Sequence, residues 1–314
     1  MLGKPTRDGF GEGLLELGRT NRDVVVLTGD LAGSTRAEWF AAKFPERFFN
    51  LGISEQDLVG TAAGMALDGK IPFACSFSVF LTGRAYDQIR ISVCYNQANV
   101  KLAATHAGLT VGPDGATAQA MEDIAAMRAL PGMTVIVPCD AVEAKKATIA
   151  AAAWKGPVFL RLGRNPYPVV TAEGDAFIIG KIHILRPGSD VAICACGLMV
   201  GEAMTAAARL ADEGIQACVA DVHTIKPLDT PALTELARRC GALVTAEEHQ
   251  LTGGLGGAVA ETLAREYPVP VEMVGIHDTF GESGSERELQ QKYGITDKDV
   301  YEAAKRALAR KRPA

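Results

Sequence analysis

What most limits the fold of this chain is the alternation of short apolar runs with longer amphipathic stretches. In the first half the runs are Val24–Leu27, Pro72–Phe77, Val100–Ala104, Thr134–Val137 and Val158–Arg161, and they are apolar on successive residues rather than on every second one. Strands of that kind hide both faces, as in a parallel sheet covered by helices on both sides. The stretches Arg7–Thr20, Glu55–Leu67, Arg84–Tyr95, Gln119–Leu130 and Ala141–Ala153 supply the helices. Asp140, two residues after Pro138, is placed to cap the last of them.

The rhythm breaks over 163–190, where Pro166, Pro168, Gly174, Gly180, Pro187 and Gly188 read as a connector. It then resumes, with strands at Val191–Cys196, Ala217–Val222, Ala242–Ala246 and Val271–Ile276. Helices are expected at Met199–Glu213, Thr230–Arg239, Ala258–Arg265, Glu286–Lys292 and Asp297–Arg310. The chain of 314 residues is too long for one ordinary core and about right for two. The expected fold class is therefore α/β, with two domains, each a mostly parallel sheet flanked by helices. The first spans 1–165, a linker 166–189, and the second 190–314.

Composition narrows the function classes. A formal net charge of −5 argues against a nucleic-acid or polyanion surface. No run approaches the ~18 apolar residues of a membrane span, and MLGKPTRDGFGEG lacks the apolar stretch of a signal peptide. The seven cysteines are odd in number, scattered and without CxxC spacing, which reads as buried thiols kept reduced in the cytoplasm. Cys194 and Cys196 have no evident His or Cys partner for a metal, and no metal site is expected in this chain.

Three blocks could carry chemistry. In Gly52-Ile-Ser-Glu55-Gln-Asp57 a polar turn delivers Glu55 into the first turn of a helix that Ser54 could cap; Glu55 and Asp57 either complement the helix dipole or serve a site. Phe77 and Phe80 either pack in the core or form a wall for a flat ring. Just beyond, Asp87 and Arg90 have the spacing of an ion pair on one helix face. The third block, Thr105-His106-Ala-Gly108 through Gly112-Pro-Asp114-Gly115-Ala-Thr-Ala118-Gln119, follows a strand and precedes a helix, where open α/β sheets bind ligands. There His106 is either structural or functional.

In this order and spacing the blocks resemble the pyrimidine domain of transketolases and deoxyxylulose-phosphate synthases. Thr224-Ile-Lys-Pro-Leu-Asp229, Thr245-Ala-Glu-Glu-His249 and Gly253-Gly-Leu-Gly-Gly257 resemble the C-terminal domain of the same family. The last cluster does not fit GxGxxG followed by an acidic residue ~20 positions on, and its family counterpart is a structural loop. The resemblance implies a thiamine diphosphate enzyme. Glu55 would hydrogen-bond the far nitrogen of the aminopyrimidine, so that the cofactor's own amino group can act as base; an apolar setting would help that carboxyl share a proton. Phe77 and Phe80 would stack on the ring. A third contact falls at Arg84, where the match slips by one residue. Substrate contacts carry over to Arg7, Ser34, His106, Asp114 and Arg164, with Arg161 as the other register of Arg161-Leu-Gly-Arg164. For Arg7 the alternative is a solvated helix start. Glu55 and His106 are the catalytic candidates.

Two departures matter. The family reads GPTHQ where this chain has Gly115-Ala-Thr-Ala118-Gln119, so Ala118 replaces a histidine that contacts the reacting end of the sugar. The GDG signature that holds Mg²⁺ and the diphosphate does not occur. The resemblance thus implies a partner, an N-terminal transketolase subunit with the diphosphate-binding domain, in a two-fold assembly with two copies of each chain. The implied reaction moves a two-carbon ketol unit from a ketose or ketose phosphate to an aldose acceptor. A split deoxyxylulose-phosphate synthase-like carboligase and a non-catalytic subunit retaining the fold are the alternatives.

Overall fold

A computed structural model describes residues 2–311. The outermost residues of the two expected units, 1 and 312–314, lie outside the described residues. The first sheet has seven strands, in the order Thr224–Lys226, Thr134–Ile136, Val158–Arg161, Lys101–Thr105, Ile71–Phe77, Val24–Thr28, Phe48–Asn50. All neighbours run parallel except Thr224–Lys226, which is antiparallel to Thr134–Ile136. The second sheet has five, in the order Val271–Ile276, Leu243–Gln250, Val191–Ala195, Ala217–Asp221, His183–Arg186, parallel save for the last pair. Leu2–Pro5 pairs antiparallel with Pro166–Pro168. The expected class, two α/β units with mostly parallel sheets, is what the chain adopts.

The doubly apolar strands explain the layering. Val24–Thr28, Lys101–Thr105 and Val158–Arg161 are buried at every residue. Their one lysine, Lys101, is satisfied rather than exposed. Its ammonium donates to Asn99 Oδ1 at 2.8 Å and to the Trp154 and Gly156 carbonyls at 2.7 Å, and burial lowers its pKa to about 7. On one face of the sheet the helices Thr6–Thr20 and Ala141–Ala153 lie against each other. A Cβ at Gly9 would fall 2.0 Å from the Ala141 carbonyl oxygen, so glycine there permits the approach. Asp140 caps the second helix as expected, accepting from Glu143 N at 2.9 Å.

Several local expectations differ from the structure. The helix expected over Gln119–Leu130 forms only at Asp123–Ala129, because Gln119 Nε2 donates to the carbonyls of Leu109 and Glu282, both at 2.9 Å, and holds its own segment in a loop. Ser54 precedes the helix Glu55–Leu67 but does not cap it; its hydroxyl donates back to the Leu51 carbonyl at 2.7 Å. Arg84–Tyr95 divides into a helix end at Arg84, a short α-helical piece at Tyr86–Gln88 and a π-helical segment at Ile89–Tyr95. No ion pair joins Asp87 and Arg90 among the described residues; Arg90 is exposed. The connector carries the short strands Pro166–Pro168 and His183–Arg186. All seven cysteines are free and buried, and no helix of the described residues is long and apolar enough to cross a membrane.

Candidate active site

Glu55 opens the helix Glu55–Leu67 and is 4% exposed. Its Oε1 accepts from Arg84 Nη1 at 3.0 Å. The Arg84 guanidinium lies over the Phe80 ring, 4.0 Å from the centroid. Phe80 stacks on Phe77 with centroids 5.5 Å apart and planes 21° apart. Phe77 in turn stacks on His106 at 3.8 Å and 24°. The expected cofactor residues and His106 thus form one continuous line. It arises because the strand Ile71–Phe77 and the strand Lys101–Thr105 are parallel neighbours, with Phe77 in register with Thr105. Both strands therefore end, and release their loops, at the same edge of the sheet.

His106 extends the line toward the N-terminus. Arg7 Nη1 lies 3.3 Å from His106 Nε2 and donates to the Ser34 carbonyl at 2.9 Å. A guanidinium only donates, so Nε2 is the acceptor. The ring proton is then on Nδ1, where it reaches Thr105 Oγ1 at 2.9 Å. Burial first, and then the charges of Arg7, Arg164 and Arg36, push the imidazole down to about 3, which keeps it neutral at physiological pH. His106 also takes a left-handed backbone, φ 54°, a conformation that needs its surroundings to hold it.

The same cluster of guanidinium groups gives the site its sign. Arg36 pairs with Asp8 at 2.6 Å and, with Arg7 and Arg164, lowers the imidazole pKa. Arg7 Nε is buried with no partner among the described residues. Arg164 donates to the Val111 carbonyl at 2.9 Å and to Asp114 Oδ1 at 3.0 Å, both charged groups partly exposed. Arg161 is differently placed. It is buried, with Nε on Asp123 Oδ2 at 2.8 Å and Nη2 on the Ala120 and Glu248 carbonyls at 3.1 and 3.0 Å. Asp123 Oδ2 also accepts from Ser78 Oγ at 2.6 Å, at the start of the helix Ser78–Arg84 that carries Phe80. Ala118 is buried within the loop. Sequence reasoning misses Arg36: it lies far along the chain from the histidine it affects, outside every block that points to chemistry, and nothing local marks it.

The glycine cluster Gly253–Gly257 belongs to the second domain's framework. Both Glu247 carboxyl oxygens accept backbone N–H groups, Leu255 at 2.7 Å and Gly256 at 2.8 Å, and so cap the helix Leu255–Glu266. A Cβ at Gly254 would fall 2.0 Å from Glu247 Oε2. Among the described residues one group of side chains has metal-ligand spacing, Cys139, Glu143 and Asp221, and it draws no residue from the Glu55 line.

Comparison with known proteins identifies the two domains. The transketolase pyrimidine-binding domain family matches residues 3–170, and the transketolase C-terminal domain family matches 180–300. A 6-deoxy-6-sulfo-D-fructose transketolase subunit from Clostridium sp. (strain MSTE9) is 42% identical over 305 residues, covering 97% of this chain and 95% of that one. One of the subunits of an apulose-4-phosphate transketolase from Phocaeicola vulgatus is 38% identical over 299 residues, 95% and 96% of the two chains. A solved split-gene transketolase, described as an inactive beta4 tetramer, superposes with a TM-score of 0.93 at 50% identity over 99% of this chain and all of that one. The chain belongs to the transketolase family, carrying its pyrimidine-binding and C-terminal domains in the manner of a split-transketolase C-terminal subunit.

Proposed function

We propose that this chain acts with an N-terminal transketolase subunit, which supplies the diphosphate-binding domain and most of the Mg²⁺ site, to move a two-carbon ketol unit from a ketose or ketose phosphate to an aldose. The observation that carries this reading is the unbroken line Glu55–Arg84–Phe80–Phe77–His106–Arg7. A buried carboxyl beside two stacked aromatic faces suits an aminopyrimidine, so the residues present fit thiamine diphosphate. When bound, that cofactor supplies the carbon nucleophile. Glu55 holds and returns a proton at the ring nitrogen, and Arg84 yields the carboxyl to the ring. Phe77 and Phe80 orient the ring and exclude water. Neutral His106, with Nδ1–H committed to Thr105, offers Nε2 to a sugar hydroxyl once Arg7 turns from that nitrogen to the phosphate. Arg7, whose buried Nε has no partner among the described residues, and Arg164 suit a phosphate. Ser34 and Asp114 complete the sugar contacts.

The domain bounds 1–165, 166–189 and 190–314, the two-fold assembly with two copies of each chain, and a cytoplasmic location belong to the same proposal. The test is reconstitution with the partner, Mg²⁺ and thiamine diphosphate, followed by Glu55→Gln. Turnover is expected to fall ~10²-fold or more with folding unchanged. A variant that retains over half the wild-type rate would sink the role of Glu55.

A further inference from the structure

The loop that carries His106 and Asp114 is gripped from the second domain. Glu248, in the strand Leu243–Gln250, is 4% exposed, and its Oε1 accepts from Thr110 N at 2.5 Å. The carboxyl reaches that amide by passing over Gly108, whose φ is +84°; a Cβ there would sit 2.3 Å from Glu248 Cδ. Four carbonyls of this turn are held by side chains of the first domain, those of Leu109 and Gly112 by Gln119 Nε2 at 2.9 and 3.5 Å. Asn165 Nδ2 donates to the Thr110 carbonyl at 2.6 Å, and Arg164 to that of Val111 at 2.9 Å. Among the described residues, the backbone between His106 and Asp114 thus has a single side-chain anchor on its amide side. That anchor comes from a domain that supplies none of the residues assigned to cofactor or sugar.

We propose that Glu248 is a positioning residue: through the Thr110 amide it sets the loop that presents His106 and Asp114 to the sugar. The proposal rests on the reading of those two residues as sugar contacts. The anchor is also charge-sensitive. Burial raises the Glu248 carboxyl to about 7, against the lowering effect of Arg161 and the Thr110 amide, while Glu286 on the facing helix Glu286–Tyr293 pushes it further up. The buried Tyr167 hydroxyl faces the same carboxyl. On its own strand, Glu247 is turned to the Leu255–Glu266 helix and His249 to the Ala125 amide. An ionised carboxylate grips an amide more strongly than a protonated one, so the grip tightens as pH rises through about 7.

Two readouts separate this from the functional reading. The first is amide hydrogen exchange on the chain itself. In Glu248→Ala, peptides covering 106–114 should exchange at least ~10-fold faster than in wild type, the loss of a buried hydrogen bond of about 1.5 kcal/mol, while those covering 191–195 are unchanged. Glu248→Gln, which keeps an acceptor, should restore most of the protection and remove its dependence on pH between about 6 and 8. Unchanged exchange at 106–114 in Glu248→Ala overturns the proposal, and should that variant not fold, Glu248→Asp, one methylene shorter, decides by the same criterion. The second is turnover of the reconstituted complex. KM for the sugar should rise ~10-fold in Glu248→Ala, with recovery in Glu248→Gln; a fall in kcat at constant KM would show a merely structural role and overturn it. A wild-type complex that turns over no ketose refutes the transketolase reading, and the exchange result then decides the anchor.

Discussion

Arg161 and Arg164 lie three residues apart, and the structure predicts opposite consequences for their removal. Arg161→Ala strips a fully buried Asp123 of its cationic partner and removes one donor each from the carbonyls of Ala120, which keeps the Gly108 amide, and Glu248. Breaking a buried pair by removing one partner costs about 3–5 kcal/mol, because the remaining carboxylate stays desolvated. Ser78 and the Ile124 amide still donate to Asp123, which holds the loss within that range rather than above it. At roughly 2–4 °C per kcal/mol, the figure for a unit of about 150–250 residues, Tm should fall by about 6–20 °C. Arg164→Ala breaks a partly exposed pair with Asp114, worth about 0–1 kcal/mol, so Tm should barely move. Its effect should appear as a raised KM for phosphorylated sugars. Calorimetry on both variants, with kinetics on the second, checks the pair of statements. An Arg161→Ala variant less than about 1 kcal/mol below wild type, or an Arg164→Ala variant with unchanged KM, would refute the reasoning.

Acid stability should report on His106. Its folded pKa of about 3 lies below the unfolded value of 6.5, so the unfolded chain takes up the proton first, and the stability is fully present above pH 6.5 and is lost toward pH 3. His106→Asn should therefore flatten the stability profile between pH 6.5 and 3, read by urea titration, with a residual slope from His249, which burial lowers to about 4. Ala118→His should restore a donor beside the reacting end of the sugar and improve turnover of xylulose 5-phosphate by ~10²–10³ if that donor serves the transition state; efficient wild-type turnover with no gain would show that the missing histidine costs the reaction nothing. Gly254→Ala drives a methyl into the Glu247 carboxyl and should cost about 1–3 kcal/mol, measured by thermal unfolding, without changing kinetics.

The signals that sequence carries well are those with short range. Strands buried at every residue, such as Val24–Thr28 and Lys101–Thr105, announce themselves because no other common element hides both faces. Glu55, Phe77, Phe80 and His106 stand within compact blocks, and the parallel register that aligns Phe77 with Thr105 brings the blocks together. What escapes has distant causes. Gln119 reads as helical until the Glu282 carbonyl, far along the chain, claims its side chain. What holds Arg161 in the interior while Arg164 stays partly exposed is Asp123, 38 residues before the first of them. The π-helical turn of Ile89–Tyr95 leaves no mark in apolar spacing that a regular helix would not also leave. Arg84 reads from sequence as a third cofactor contact where the match slips by one residue, and nothing local foretells that its guanidinium joins Glu55 to the Phe80 face.

Thr224–Lys226 lies in the sequence of the second domain yet hydrogen-bonds to Thr134–Ile136, at the border of the first sheet. The second domain therefore acts as a guard on an edge that would otherwise recruit strands from other molecules. A chain cut short before residue 190 should be sticky rather than merely incomplete. Proteolytic nicking within the connector, by contrast, should release nothing: the two fragments stay stitched across that border and melt in a single transition.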